Sequence, residues 1–329
     1  MLYTIDINKI TIGMYVVLPQ NWLDHSFLYT SFLIKSESEI KKLQKSGLKE
    51  IQFDSSRSQA ALDIQSITHP AQGIDIPEEW KPDTNMSQEL RNIINNPSMP
   101  PPQKALAVYQ NSQKIIEGVF ANPSAEAITD FKDVVSDIAD LILSDEETSA
   151  NMLRITSHDF YTYTHSVNVG ILSIFLAKRL YSRNSDHNIH ELGAGFFLHD
   201  LGKIKVDPQI INKPARLTEH EMQRMRTHPY QSFKTLDAAG QLSEECRVIC
   251  MQHHEREDGT GYPKRLAGNE IHDYARICSI ADVYDALTSE RSYKKALTPF
   301  QALQVMKDEM LGFFHKEIFE NFVHLLQTK

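Results

Sequence analysis

The 329-residue chain has only three cysteines and lacks any apolar run long enough to form a membrane-spanning helix. Such a helix needs about 20 consecutive apolar residues, so we expect no membrane insertion. Met1 to Asp6 lacks a basic segment followed by an apolar core, and we therefore expect no signal peptide. The odd cysteine count, with Cys246 and Cys250 one helical turn apart and Cys278 alone, fits no disulfide or zinc framework. Buried thiols in a reducing, cytoplasmic location are the expected arrangement.

The chain also has no excess of positive charge. The chain has 34 Lys and Arg residues against 43 Asp and Glu residues, which gives a formal net charge of −9. This balance argues against broad binding to nucleic-acid polymers or anionic membranes. A small anionic ligand remains compatible with it, because such a ligand responds to the local field of a cleft.

The apolar pattern predicts a small α+β domain over residues 1–66. Residues 7–18 carry β-branched residues around Gly13, which predicts a strand with a bend or bulge. A short helix is expected after Ser36, and residues 48–53 are expected to return as a strand. Three aromatic residues of this region are expected in its core: Trp22, Phe27 and Phe32. Residues 67–102 are polar and proline-rich, so they predict a linker with one short helix.

From residue 103 to residue 329, apolar residues recur every three or four positions without strand alternation. This pattern predicts about nine helices, covering residues 103–120, 124–143, 160–181, 190–203, 218–236, 243–254, 273–289, 299–310 and 316–326. A long loop is expected at 255–271. The predicted fold class is mainly α, an all-helical bundle with a small N-terminal α+β domain. Amphipathic helices such as 124–143 could also pack against a second copy, so a homodimer is one expected assembly.

Histidine and aspartate recur within these helices. The doublet His199-Asp200 follows an apolar run, and five further candidates lie on other helices: His165, His228, His253, His254 and Asp282. Taken singly, each histidine has an ordinary interpretation as a core or surface residue. Together they indicate a metal site, because aspartates on apolar helices are costly unless paired with cations. Helical bundles build such sites from inward-facing side chains.

The number and type of these residues indicate more than one metal ion. Imidazole and carboxylate ligands together suit iron, manganese or zinc. Seven ligands exceed the need of a single ion. With Asp200 as a bridge, they suit two metals about 3.5–4 Å apart, an arrangement that fits phosphoester hydrolysis.

A loop rich in turn residues follows two of the candidate ligands. Residues 253–263 read His-His-Glu-Arg-Glu-Asp-Gly-Thr-Gly-Tyr-Pro, and the glycines and proline favour turns. The loop is therefore placed to cover the metals, with a plain surface turn as the alternative. Lys203, Arg291 and Lys294 supply positive groups that could hold substrate phosphates, although Arg291 and Lys294 alone also fit a solvated face.

These motifs resemble the HD-GYP branch of the HD phosphohydrolases. The resemblance runs from about Tyr161 to the C-terminus and rests on His199-Asp200, Leu217-Thr218 with Glu221, His228-Pro229, the loop string ending in Gly261-Tyr262-Pro263, and residues 282–293. It implies an all-helical fold, two or three bound iron or manganese ions, and hydrolysis of the bacterial second messenger cyclic di-GMP. Residues 1–66 more loosely resemble a small domain that often precedes HD-GYP domains, for which we expect a regulatory or partner-docking role.

The resemblance implies a role for each matching position. One metal would be bound by His165, His199, Asp200 and Asp282, and the second by Asp200, His228, His253 and His254. The expected catalytic residues are Asp200, as the bridge, and Lys203, which would contact the scissile phosphate. The expected substrate contacts are Lys203, Tyr262, Asp285, Arg291 and Lys294. A third metal would need a glutamate where this chain has Tyr161, so we expect two divalent ions, iron or manganese, with zinc as the alternative.

The sequence therefore predicts a metal-dependent phosphodiesterase that converts cyclic di-GMP to pGpG, GMP or both. The expected nucleophile is a hydroxide that bridges the two metals. A second hypothesis is an HD phosphohydrolase acting on another nucleotide, such as a dNTP, an alarmone or a different cyclic dinucleotide. A third is a slow or inactive adaptor that binds cyclic di-GMP or a signalling protein. A substrate panel separates the first two, and binding without turnover identifies the third.

Overall fold

The computed structural model describes residues 2–17, 31–45, 49–54, 58, 84–156, 162–181, 186–213, 215–289 and 296–327. The chain divides into two compact units, Met1–Trp80 and Lys81–Lys329. Across the described ranges, no helix combines the length and the apolar character needed to cross a membrane. Several residues singled out from the sequence lie outside the described residues: Trp22, Phe27, Tyr161, Arg291 and Lys294, together with the side chain of Phe32.

Within its described residues, the first unit contains a four-stranded antiparallel sheet and one α-helix. In chain order its elements are β1 (Leu2–Asp6), β2 (Tyr15–Val17), β3 (Ser31–Leu33), α1 (Glu37–Lys45) and β4 (Glu50–Asp54). The strand order in the sheet is β1-β4-β2-β3. Ile51 and Phe53 alternate along β4 and are buried in a core that includes Val16, Ile34 and Leu43. The predicted α+β character is confirmed.

The predicted strand over residues 7–18 is wrong in detail. Ile7–Lys9 forms a 3-10 turn capped by the Asp6 carboxylate, which accepts a hydrogen bond from Asn8 N at 2.8 Å. Gly13 then has a φ of 93°, a left-handed conformation that suits glycine at a turn. Only β2 remains as strand, because local side-chain capping competes with the sheet and is not visible in the apolar pattern.

The second unit is a helical bundle, as predicted. Its helices are α2 (Thr84–Ile94), α3 (Pro101–Ala121), α4 (Ala125–Ser144), α5 (Glu146–Ile155), α6 (Thr162–Tyr181), α7 (Ile189–Leu198), α8 (Pro208–Ile211), α9 (Glu219–Met225), α10 (His228–Ala238), α11 (Glu244–Gln252), α12 (Asp273–Thr288), α13 (Pro299–Glu309) and α14 (Lys316–Gln327). A 3-10 segment, Leu201–Lys205, follows α7. The predicted helices at 103–120, 124–143, 273–289, 299–310 and 316–326 correspond closely to α3, α4, α12, α13 and α14.

Helix α2 lies in the segment predicted as a linker. Leu90 is fully buried in the core of the bundle. Arg91 Nε donates to Asp137 Oδ2 of α4 at 2.8 Å. The helical unit therefore begins before the predicted position at residue 103.

The structure differs from the prediction at three other places. Helix α5 was not predicted, and the predicted helix at 190–203 ends already at Leu198. The predicted helix at 218–236 is divided into α9 and α10, because Pro229 in the first turn of α10 lacks the N–H that a continuous helix would need. His228 therefore lies at the start of a helix and not near the middle of one.

Helix α6 is surrounded by other helices, and nearly all of its described side chains are buried. It packs closely on α7, where a Cβ at Gly170 would lie 2.2 Å from the ring of Phe197. Phe131 of α4 contacts the same Phe197 ring edge to face, with centroids 5.8 Å apart. This packing fixes the relative positions of α6 and α7, which carry or precede the candidate ligands His165 and His199-Asp200.

We expect Phe131→Ala to destabilise the helical unit by about 3–5 kcal/mol, because it removes a fully buried ring and leaves a cavity against Phe197. Leu143→Ala on the same helix is the control. Leu143 is 42% exposed, so its truncation should cost less than about 1 kcal/mol. Urea unfolding of the metal-free chain, followed by far-ultraviolet circular dichroism, measures both effects. Equal unfolding midpoints for the two variants would contradict the described packing.

Candidate metal centre

The seven candidate ligands form two adjacent groups. Asp200, His228, His253 and His254 have ligand atoms within 4.8 Å of one another, and the same limit holds for His165, His199 and Asp282. Six of the seven are buried, and only the His254 side chain is substantially exposed, at 24%.

Asp200 faces both groups with different oxygens. Oδ2 lies 3.6 Å from His165 Nε2 and 3.4 Å from His199 Nε2. Oδ1 lies 3.1 Å from His228 Nε2 and 3.9 Å from His253 Nε2. One carboxylate therefore spans the two groups, as a bridging ligand must.

Asp282 makes a second link between the groups. Its Oδ1 lies 3.0 Å from His165 Nε2, and its Oδ2 lies 3.6 Å from His254 Nδ1. Burial alone would raise the pKa of Asp282, but the hydrogen bond from His165 holds it far below its usual value. The carboxylate is therefore ionised.

Close packing of α10 against the segment after α7 brings His228 to Asp200. Gly202 is required at this contact, since a Cβ there would lie 2.2 Å from His228 O and 2.3 Å from Ser232 N. Ser232 Oγ donates to His199 O at 2.8 Å and accepts from Gly202 N at 2.7 Å. A larger residue at position 202 would displace α10, and His228 with it.

The proline after His228 leaves free the carbonyl group that orients the His228 ring. In a continuous helix, residue 229 would donate its N–H to Met225 O, but Pro229 has no N–H. His228 Nδ1 donates to that carbonyl instead, at 2.8 Å. The His-Pro pair therefore turns the imidazole so that its Nε2 faces Asp200.

Two further histidines are oriented in the same way at helix ends. His199 Nδ1 lies 2.8 Å from Phe196 O, and His253 Nδ1 lies 3.0 Å from Cys250 O. Because a carbonyl oxygen can only accept, Nδ1 carries the proton and Nε2 keeps its lone pair. Metal-binding histidines are usually held by such a bond at the ring nitrogen that does not contact the metal.

The cluster contains polar atoms that the protein alone does not satisfy. Within the described part of the chain, buried His199 Nε2 and Asp200 Oδ1 have no hydrogen-bond partner, which costs free energy in the interior. His228 Nε2 lies 3.3 Å from His253 Nε2 and 3.1 Å from His254 Nε2, so these nitrogens converge. Divalent cations would satisfy all of these atoms, and imidazoles mixed with carboxylates accept iron, manganese or zinc. The residues present therefore fit a metal centre.

Burial and neighbouring groups keep Asp200, His253 and His254 in metal-binding protonation states. Burial and the adjacent histidines lower the pKa of His253 to about 3 and hold the pKa of His254 well below its usual value. Burial alone would raise the pKa of Asp200, but the positive charge of Lys203 and the neighbouring histidines hold it well below the usual range. Neutral imidazoles and an ionised carboxylate are the forms that bind a metal.

His165 is held between two carboxylates. Its Nε2 lies 3.0 Å from Asp282 Oδ1, and its Nδ1 lies 2.6 Å from Asp285 Oδ2. Burial would lower the pKa of His165, but the hydrogen bonds to Asp282 and Asp285 raise it to about 9. The metal-free imidazole therefore carries both protons at neutral pH, and a cation at Nε2 must displace one of them.

The loop after His254 folds back over the cluster. The Glu255 carboxylate accepts a hydrogen bond from Lys264 N at 2.6 Å, which ties the two ends of the loop together. Gly261 passes so close to the preceding backbone that a Cβ would lie 2.5 Å from Glu255 Cα. Tyr262 N donates to His254 O at 3.1 Å, and the two rings lie 4.6 Å apart between centroids. Tyr262 therefore covers a candidate ligand.

Lys203 lies next to the cluster. Its Nζ forms an ion pair with Asp200 Oδ2, and its side chain is 19% exposed. The ammonium group can therefore be reached by a ligand that approaches the cluster. Arg291 and Lys294, the other two predicted positive contacts, lie outside the described residues.

Asp285 differs from its predicted role as a substrate contact. It is fully buried, and its two oxygens accept hydrogen bonds from His165 Nδ1 and Asn168 Nδ2. We therefore assign it a role in orienting His165. Asn168 and its own partner Tyr109 were not predicted from the sequence. The spacing of three residues between His165 and Asn168, which places both on one helix face, was the available signal.

Comparisons with known proteins show which families and relatives this chain is similar to. The HD domain family matches residues 147–314, and a domain of unknown function (DUF3391) matches residues 2–133. A cyclic di-GMP phosphodiesterase of Pseudomonas aeruginosa is 32% identical over 337 residues, which cover 98% of this chain and 76% of that protein. A 3'3'-cGAMP-specific phosphodiesterase of Vibrio cholerae is 33% identical over 150 residues, which cover 46% of this chain and 32% of that protein.

A solved structure shares the fold. It is an HDG"Y"P protein from Bdellovibrio bacteriovorus with a TM-score of 0.63 and 18% identity, and the alignment covers 99% of this chain and 100% of that chain. The HD domain match covers half of the sequence, and the similarity to the Pseudomonas aeruginosa protein extends along nearly the whole chain. The chain belongs to the HD domain family and, within it, to the HD-GYP branch, with a DUF3391 domain at its N-terminal side.

Proposed function

We propose that this chain is a metal-dependent phosphodiesterase that hydrolyses cyclic di-GMP. The observation that carries the proposal is the position of Asp200, whose two oxygens face two separate groups of imidazoles. Paired cations bridged in this way suit attack of water on a phosphodiester. The relative from Pseudomonas aeruginosa, similar over 98% of this chain, is named for activity on cyclic di-GMP, and this similarity supports the choice of substrate.

The proposed centre is binuclear. One cation would be held by His165, His199, Asp200 and Asp282, and the other by Asp200, His228, His253 and His254. When bound, the two cations supply an activated water and neutralise the negative charge that develops on the phosphate. Iron or manganese is the proposed metal, with zinc as the alternative, because all three accept imidazole and carboxylate ligands.

Lys203 contributes the positive charge that the protein itself brings to the phosphate. The ion pair with Asp200 holds its ammonium group at the cluster before substrate arrives, and the side chain is 19% exposed. A donor oriented in advance stabilises charge in the transition state without a further rearrangement. Cleavage of one phosphodiester bond opens the ring to pGpG, and cleavage of the second gives GMP.

Tyr262 is the second residue proposed to contact the substrate. Burial, with the nearby charge of Asp282, raises the pKa of Tyr262 above its usual value. The phenol therefore keeps its proton and can donate a hydrogen bond to a phosphate oxygen. Its ring, which lies beside His254, also excludes water from one side of the cluster.

The Vibrio cholerae relative favours a second candidate substrate. That protein is named as specific for 3'3'-cGAMP and shares 33% identity over 46% of this chain. The two cyclic dinucleotides have the same phosphodiester ring and differ in one base, so the metal ligands alone accept either. Residues that contact the bases would decide between them. Two further expectations stay predictions: that residues 1–66 dock a signalling protein, and that the chain forms a homodimer.

The substrate proposal is tested by a panel of nucleotides with the metal-loaded full-length protein. We expect kcat/KM to be highest for cyclic di-GMP, compared with 3'3'-cGAMP, a dNTP and an alarmone, with pGpG appearing before GMP. Chromatography of the digests measures both. A preference for 3'3'-cGAMP would move the assignment to the second substrate. Binding of cyclic di-GMP without any product would identify an adaptor instead of an enzyme.

We expect Asp200→Ala to leave fewer than two metal ions per chain. It should also lower kcat/KM by more than about 100-fold, since loss of a partner outside the ligand set already costs about 10–100-fold. Elemental analysis of anaerobically purified protein and turnover of cyclic di-GMP measure the two effects. Asp140→Ala is the matched control, because Asp140 also pairs with a histidine, His190 at 2.8 Å, but is 64% exposed. If Asp200→Ala kept wild-type metal content and turnover, the proposal that Asp200 is a ligand shared by two metal ions would be wrong.

We expect Lys203→Gln to lower kcat by about 100–1,000-fold, the usual effect of removing one donor to a developing oxyanion, while the metal content stays at the wild-type level. Lys205→Gln is the control, because Lys205 lies in the same 3-10 segment and is exposed. Parallel measurement of metal content and steady-state kinetics separates two roles. If metal is lost together with activity, Lys203 supports Asp200 and does not act on the substrate.

A further inference from the structure

A buried chain of hydrogen bonds leads from α3 to the candidate ligand His165. Tyr109 Oη lies 2.7 Å from Asn168 Oδ1, and Asn168 Nδ2 lies 2.7 Å from Asp285 Oδ1. The other oxygen of Asp285 lies 2.6 Å from His165 Nδ1. Tyr109 is 8% exposed, His165 is 1% exposed, and the other two are fully buried. The chain connects α3, α6 and α12.

The direction of every bond in this chain is determined by its chemistry. The amide nitrogen of Asn168 can only donate, so Asp285 Oδ1 accepts from it, and Asp285 Oδ2 accepts the Nδ1–H of His165. The amide oxygen of Asn168 then faces Tyr109, whose hydroxyl must donate to it. Each donor therefore points towards Asp285. The other ring nitrogen of His165, Nε2, faces Asp200 and Asp282.

We propose that Tyr109 and Asn168 are positioning residues for the metal ligand His165, a proposal that rests on the proposed metal centre. Asn168 holds the Asp285 carboxylate in the rotamer that accepts from His165, and Tyr109 holds the Asn168 amide in the orientation that donates to Asp285. Neither residue touches the metal. Both act by fixing the tautomer and the ring plane of the ligand, as partners of metal-binding histidines do.

The packing of α3 against α6 supports this role. Besides Tyr109, Gln113 one turn later donates from Nε2 to Thr164 Oγ1 at 3.0 Å, beside His165 in the sequence. Two side-chain hydrogen bonds from α3 therefore meet α6 on either side of the ligand. Tyr109 lies within the DUF3391 match, outside the HD domain match. The segment ahead of the HD domain match thus contributes directly to the arrangement of its metal ligands.

The test compares Tyr109→Phe with the wild-type full-length chain. This variant keeps the buried ring and removes only the hydroxyl that orients Asn168. Tyr274→Phe is the matched control, because it also removes one tyrosine hydroxyl bonded to a side chain, His187 Nδ1 at 2.8 Å, on α12 but outside this chain of bonds. Binding of Mn²⁺ to the metal-free proteins is titrated in competition with a chelating indicator, and their melting temperatures are measured without metal.

We expect Tyr109→Phe to weaken one of the two Mn²⁺ affinities about tenfold and to leave the other unchanged, because only His165 is affected. Asn168→Ala should weaken the same site further, within the range of about 10–100-fold seen for partners of metal ligands. The melting temperature of metal-free Tyr109→Phe should match that of Tyr274→Phe. A purely structural role would instead lower the melting temperature and weaken both sites together.

Three outcomes separate this inference from the proposed function. If folded Tyr109→Phe binds both Mn²⁺ ions with wild-type affinity, the positioning role is overturned and the proposed function is not affected. Two bound ions and the expected selective loss, without hydrolysis of any nucleotide, would overturn the proposed function and retain the positioning role. Absence of Mn²⁺ binding by the wild-type chain would overturn the metal centre, and the positioning role with it.

Discussion

Histidine ligands need a fixed tautomer, and this bundle fixes it with carbonyl groups at the ends of helices. The last carbonyls of an α-helix have no partner within the helix. His199 follows α7, His228 follows α9 and His253 follows α11, and each Nδ1 lies within 3.0 Å of a carbonyl from the preceding helix. The unsatisfied carbonyls therefore orient three candidate ligands at once. The breaks in the helical pattern are part of the site, because they create those acceptors.

A ligand within a helix needs a different partner, since the carbonyls there are already bonded. His165 lies on α6, and α12 supplies a carboxylate to each of its nitrogens, Asp285 at Nδ1 and Asp282 at Nε2. These aspartates are one turn apart and share a face of α12. A buried charge is costly unless it is paired, so only one register of α6 against α12 satisfies all three side chains. Helix packing and ligand geometry are therefore determined together.

The seven residues that cluster could be identified from the sequence because they are charged or titratable residues in apolar patterns, where an unpaired group is costly. Residues whose role depends on contacts between helices were harder to identify. Pro229 breaks the helix at His228, but the role of the carbonyl that it leaves free, which is to orient the His228 ring, depends on the folded geometry. Asp285 resembles Asp282 in the sequence, and only the position of α6 shows that it is buried. Tyr109 gave no signal, since a tyrosine on an amphipathic helix is usually a core residue, and its role depends on Asn168.

The family matches divide the chain at a place where the fold is continuous. The DUF3391 match ends at residue 133 and the HD domain match begins at residue 147, but both limits lie inside the unit Lys81–Lys329. Helix α4 crosses the first limit and packs Phe131 on Phe197 of α7. Helix α3 carries Tyr109, the start of the hydrogen-bond chain to His165. A chain beginning at residue 147 would lack both helices, so apolar surface of α7 would face water and Asn168 would lose its donor. Because the same helices complete the core and orient a candidate ligand, the bundle and its candidate metal centre are built from residues of both matches.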